Sequence, residues 1–196
     1  MSLPTYDKKQ RRQSFEQLPK GAYVLKILGA KEDTWNDGSQ CIRIAFDIAE
    51  GDHKNYFDRL FKARKANNED TQWPIDGTFT LSVPNDNSEA FVWTNWNTFF
   101  ADLEDSNDGF VFSGDLSKLK DKLIGGKFHI VQHEYKGNVY NNTRMKWTCV
   151  AEDVRQGKAG QMPKDKLVNS AASSADATDP NGFMKIPDGA EEDFPF

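Results

Sequence analysis

The sequence predicts a mainly β fold, a small barrel with one or two inserted helices and a disordered C-terminal tail. Three observations carry this expectation. Ile42, Ile44, Phe46 and Ile48 alternate with Arg43, Ala45 and Asp47, the period of two that marks an antiparallel strand with one buried face. Turn-forming clusters, Trp35-Asn36-Asp37-Gly38-Ser39 and Lys136-Gly137-Asn138, separate strand-like runs. From Gln156 onward the chain is small, polar and aperiodic, too poor in apolar surface to offset the entropy of ordering.

The elements follow in order. Residues 1–20 form a basic arm around Lys8-Lys9-Gln10-Arg11-Arg12, and residues 22–48 read as a hairpin. Lys54 to Lys65 interleaves aromatics with bases and is expected as a third strand running into a basic loop or short helix. Gly77 to Val83 is a further short strand candidate. Phe91, Trp96, Phe99, Phe100 and Leu103 recur at helical spacing after Ser88, which predicts a core-plugging helix with Ser88 as its N-cap. Leu116, Leu119 and Leu123 predict a second, shorter helix over 115–124, stopped by Gly125-Gly126. Lys127 to Tyr135 and Val139 to Val154 make the last hairpin, with Val139, Met145, Trp147 and Cys149 on one face and Tyr140, Asn142, Arg144 and Lys146 on the other. Hairpin, third strand, helix, hairpin is the order of an OB-fold, a five-stranded barrel whose exposed face and loops take up oligonucleotides. The expected domain spans 21–155 and the tail 156–196.

Composition narrows the function. Net charge is −5, yet from Asn169 onward six acids face one base, so the first 168 residues balance at 24 bases and 24 acids. A neutral body can carry a basic groove. No apolar run reaches the length of a membrane span and no signal-type stretch opens the chain, so a cytoplasmic protein without membrane contact is expected. Cys41 and Cys149 lack zinc or disulfide spacing and are expected as small buried hydrophobes. His129 and His133 lie about 13 Å apart along a strand, so no metal is expected there. Asp102, Glu104, Asp105 and Asp108 read as a solvated turn at a helix end rather than a nuclease cluster. No catalytic apparatus or cofactor motif is visible, and no enzyme is expected.

A sequence-tolerant binder of single strands needs flat rings for base stacking and cations along the phosphates, each stacked base contributing roughly 1–3 kcal/mol. Two groups have that make-up: Trp35, Arg43, Lys54, Tyr56, Arg59, Lys62, Arg64 and Lys65, and on the last hairpin Tyr135, Lys136, Tyr140, Arg144 and Lys146. Phe46, Phe128 and Trp147 are assigned to packing. The terminal Glu191, Glu192, Asp193, Phe194, Pro195 and Phe196 join acids to exposed rings, a combination suited to docking a partner rather than to solubility alone.

That tip resembles the tails of bacterial single-stranded DNA-binding proteins, which end in acids and a Pro-Phe pair and recruit replication, repair and recombination enzymes. Phe194 stands where those tails often have Ile. Phe15-Glu16-Gln17-Leu18-Pro19-Lys20-Gly21-Ala22-Tyr23 and Lys54-Asn55-Tyr56-Phe57 are similar to a family of bacteriophage and mobile-element single-stranded DNA-binding proteins with OB cores. Residues 66–110 read as an insertion outside both patterns. The resemblance implies a coat protein for single-stranded DNA in the bacterial cytoplasm whose acidic tail competes with DNA for the groove; a homo-oligomer, with a dimer favoured, is expected for the assembly. Deleting residues 169–196 is then expected to tighten DNA binding. The rival readings are an OB-type RNA binder, a phage or mobile-element protein-interaction module, and, with least support, a metal nuclease.

Overall fold

A computed structural model describes residues 16–168. The fold is mainly β: β1 (Gly21–Thr34), β2 (Gln40–Ile48), α1 (Tyr56–Lys65), β3 (Thr78–Ser82), α2 (Ala90–Asp105), β4 (Leu123–Tyr135), β5 (Asn138–Cys149) and α3 (Ala151–Arg155). The strands form one antiparallel sheet in the order β3-β2-β1-β4-β5. Ile42, Ile44, Phe46 and Ile48 do point into the core, with Leu25, Ile27, Ile124 and Phe128 beside them. Phe46 meets Phe57 and Phe128 edge to face, the arrangement ring quadrupoles favour.

The hydrogen bonds do not close the expected barrel. β3 and β5 are the outer strands, and among the described residues no ladder joins them. Side chains bridge the gap instead: Arg144 Nε on β5 donates to Asp76 Oδ1 at 2.9 Å, in the 3-10 turn Ile75–Gly77 before β3.

Other departures have local causes. Residues 56–65 are helical from their first residue, and the third strand falls at 78–82. The Asp47 carboxylate, 4% exposed on β2, decides this. It accepts from the amides of Phe57 and Asp58, two of the orphan donors a helix start presents, and from Ile48. β2, expected to be half buried, is covered on both faces: Cys41, Arg43 and Asp47 are buried as well. Residues 66–110 supply β3 and α2, whose Phe99, Phe100 and Leu103 are core residues, so this stretch belongs to the body of the fold. Ser88 is not the cap of α2, since its Oγ accepts from Asn85 N at 2.8 Å in the preceding turn.

The second helix shrinks to a 3-10 turn, Leu116–Leu119, and Gly125-Gly126 lies inside β4 instead of ending a helix. A Cβ on Gly125 would stand 2.7 Å from the Cys149 carbonyl oxygen, and one on Gly126 2.5 Å from Leu25 Cδ1. These glycines let strands approach, a reading open to any Gly-Gly pair. The last hairpin turns through Lys136 (φ 49) and Gly137 (φ 76), the two left-handed positions of a tight two-residue turn.

Residues 164–168, expected with the disordered tail, run along β4. Lys166 bridges Val131 in parallel, Gln132 N donates to Lys166 O at 2.8 Å, and Asp165 accepts from Ile130 N and pairs with Lys20 at 2.6 Å. They take the flank of β4 that β1 leaves uncovered, because the β1 ladder begins at Gly21 opposite Phe128. The basic cluster at 8–12, the tail from 169 and the tip at 191–196 lie outside the described residues.

Candidate nucleic-acid interface

Opposite residues of a ladder share a face, so the register lays out the outer surface of β1-β2-β3. Lys31 stands opposite Arg43 and Arg43 opposite Thr80, while Gly29 and Thr78 flank Ala45. Small side chains leave a depression of about 270 Å³ there, bordered by Lys31, Arg43, Gln72 and Trp73. Asp33 Oδ2 fixes Arg43 Nε at 2.9 Å, so the guanidinium is an oriented group, 8% exposed, instead of a solvated arm. Trp73 is fixed too, its Nε1 donating to Gly77 O at 3.0 Å and its ring against Phe61. Gly77 is required for that contact, because a Cβ would meet Trp73 Nε1 at 2.8 Å. At the far end Trp35, half-buried in the β1–β2 turn, donates from Nε1 to Ser82 Oγ at 3.1 Å.

The rest of the first expected group divides. Lys54, Arg59, Lys62, Arg64 and Lys65 are exposed on or beside α1. Lys62 pairs with Asp58 and Lys65 lies 5.5 Å from the Phe61 ring centre. Tyr56 is no open platform: its hydroxyl donates to Glu16 O and accepts from Leu18 N, tying the segment before β1 to α1. Burial pushes its phenol up, as it does that of Tyr23.

On the last hairpin Tyr135 and Tyr140 are exposed, and Tyr140 stacks on His133, its ladder partner, at 5.4 Å. Lys136 lies 5.1 Å from the Tyr135 ring centre. Arg144 is held by Asp76, and Lys146 is exposed with its Nζ 5.5 Å from the Trp147 ring centre. A bulge changes the expected faces. Trp147 pairs with Lys127 but Met145 pairs with Phe128, the adjacent residue. Met145 therefore packs on the core, while Trp147 shares the outer face with Arg144, opposite His129. The two expected groups meet at the segment 73–76: Trp73 borders the depression and Asp76 holds Arg144.

Sequence reasoning missed Lys31, Trp73, His133 and the outward face of Trp147. His133 could have been found by folding the hairpin about Lys136-Gly137, which sets it opposite Tyr140. Trp73 lies in a stretch without periodicity.

Among the described residues no group of three or more His, Cys, Asp or Glu is placed to hold a metal ion. His129 is buried, with Nδ1 2.7 Å from Lys164 O, and desolvation holds its imidazole below the ordinary range. Asp102 is not a solvated turn residue, since its Oδ2 accepts from Thr148 Oγ1 and burial raises its carboxyl. Cys41 and Cys149 are buried free thiols, Cys149 pushed up to about 11 by desolvation. Among the described residues no helix is long and apolar enough to cross a membrane.

A family described as a protein of unknown function (DUF669) matches residues 4–82, a span that includes β1, β2, α1 and β3. No curated protein matches the chain.

Proposed function

We propose that the chain binds single-stranded DNA without strong dependence on sequence, protects it during replication, recombination or repair, and recruits enzymes of those processes through Glu191 to Phe196. The observation that carries the reading is the placement of rings and cations on the outer surface of a sheet whose core is already filled. Trp35, Tyr135, Tyr140 and Trp147 lie outside the core and the residues packed against it, Trp73 packs on the core's edge, and Lys31, Arg43, Lys136 and Lys146 stand beside these rings. That composition suits base stacking along a phosphate track. The strand order and the helix between β3 and β4 support an OB-type platform for it. The docking role of the tip rests on the sequence, as do a phage or mobile-element origin and a dimeric state.

Titration of the full chain with poly-dT and with a duplex of equal length, at low and moderate salt, tests the reading by intrinsic tryptophan fluorescence. Quenching by poly-dT with a steep salt dependence and little duplex response is expected. No response to either, with a negative gel shift, would transfer the function to protein interaction alone. Preference for an RNA oligomer of the same length would make the ligand RNA.

A further inference from the structure

Past Arg144 the β4-β5 hairpin runs on with the outer edge of β5 unpaired. Ile130 and Gln132 give their backbone groups to the 164–168 segment, so each forms a non-hydrogen-bonded pair with its ladder partner, Thr143 and Asn141. Those two residues therefore turn their own N–H and C=O the other way, to the open edge, and Val139, two residues along from Asn141, does the same. At Thr143 the chain before β1 comes in, since Gln17 and Leu18 bond its hydroxyl. From Asn138 to Asn142 the edge has none of the devices that blunt such strands: no charge, no proline, and a bulge only at the far end, opposite Lys127/Phe128. Asn138, Val139, Tyr140 and Asn141 are all exposed. β3, the other outer strand, is only five residues long.

We propose that this edge pairs with the same edge of a second copy, antiparallel about a two-fold axis at Tyr140, and so joins the outer faces of two sheets. Centred there, the edge is complementary to itself. Val139 of each copy exchanges N–H and C=O with Asn141 of the other, and the two Tyr140 residues stand opposite each other with Cα atoms roughly 4.5 Å apart. The paired stretch sets no charge against charge; beyond its ends Lys136 meets Arg144 of the other copy, whose guanidinium is already offset by Asp76. The axis stands perpendicular to the sheet, so the stacked Tyr140 and His133 of both copies face the same side and one ring-and-cation surface continues into the next. The joined surface rests on the single-strand reading above, whereas the pairing stands on the edge alone.

Sedimentation of the full chain at rising concentration is expected to show a reversible dimer. Asn141→Pro removes an outward N–H that the β4 ladder does not use, and is expected to give a monomer with an unchanged circular dichroism spectrum. Tyr140→Cys, treated with oxidised glutathione, is expected to cross-link two copies, because residues so paired lie within disulfide range. Asn138→Cys is expected not to, since the axis sets its two copies about 13 Å apart along the strands. Both native thiols are buried. A dT oligomer long enough to cross two copies should bind at least about tenfold tighter than one that spans a single copy. Asn141→Pro should lose that gain and bind the short oligomer as before. A monomer at every concentration up to about 100 μM would overturn the pairing. So would a dimer that survives Asn141→Pro and is not cross-linked in Tyr140→Cys. A dimer without the length effect would overturn the joined surface alone. Failure to bind either oligomer would overturn the single-strand reading, while mass and cross-link still decide the pairing.

Discussion

Asp76→Ala and Arg144→Ala, made singly and together, test how the two outer strands are held. The pair is partly shielded, with side chains 30% and 26% exposed and Nε to Oδ1 at 2.9 Å. Exposed pairs contribute roughly 0.2–1 kcal/mol, and this geometry places the coupling near the upper end, about 0.7 kcal/mol. Arg144→Ala alone is expected to cost more, about 1–1.5 kcal/mol, because the stem of an arginine packs as well as its head. Urea unfolding of the four proteins isolates the coupling term. At about 1 M salt, where the screening length falls to roughly 3 Å, the coupling should fall by at least half. Poly-dT binding gives an independent readout: Asp76→Ala removes a carboxylate beside the proposed strand path and should tighten binding, while Arg144→Ala should weaken it and lower the salt slope by about 0.7. Zero coupling at low salt, or coupling that ignores salt, would refute the account of the β3–β5 gap.

Asp47→Ala should destabilise the fold by about 3 kcal/mol, since it leaves three backbone amides without their acceptor and uncaps α1; thermal unfolding should shift down by roughly 6–12 °C. Gly126→Ala should cost about 1–3 kcal/mol in urea unfolding, because its Cβ would press on Leu25 Cδ1 at 2.5 Å and on Met145 Sδ at 3.1 Å. Burial lowers the His129 pKa in the folded state, so the unfolded chain binds its proton first. Stability should therefore fall as pH drops below about 6.5, and a His129→Asn variant should show a flatter profile between pH 7 and 5. Cys149, pushed up to about 11, should react with a thiol reagent at pH 8 at least roughly tenfold more slowly in the folded chain than in urea.

Legibility followed the range of the interactions. The alternation in β2 and the two positive-φ residues at Lys136-Gly137 are local signals, and both turns fall where those signals place them, although the last strand, expected to run to Val154, ends at Cys149 and gives way to α3. The start of α1 is set by Asp47, ten residues upstream of Phe57, and no local pattern in Tyr56–Lys65 contains that carboxylate. Parity counted through β5 put Trp147 with Met145 because the bulge at Lys127/Phe128 is a property of the pairing, not of either strand alone. Strand formers show where a chain is extended; they do not show what lies over it, so β2 read as half open while α1 and the loop through Trp73 cover its second face. On the candidate site, the exposed rings of the last hairpin were legible from alternation. The cavity was not, because it is bounded by Gly29 and Ala45, whose contribution is the absence of a side chain.

The open line between β3 and β5 gives the molecule a mechanical grain. Neighbouring strands joined by a ladder are held about 4.8 Å apart, and separating β4 from β5 lengthwise means shearing a pairing that runs from Gly125–Cys149 to Tyr135–Asn138. Across β3 and β5 a load meets a side-chain clasp that salt screens and the packing of the core, and among the described residues it shears no strand ladder. A strand threaded over this surface would find a body stiff along its length and compliant around its circumference.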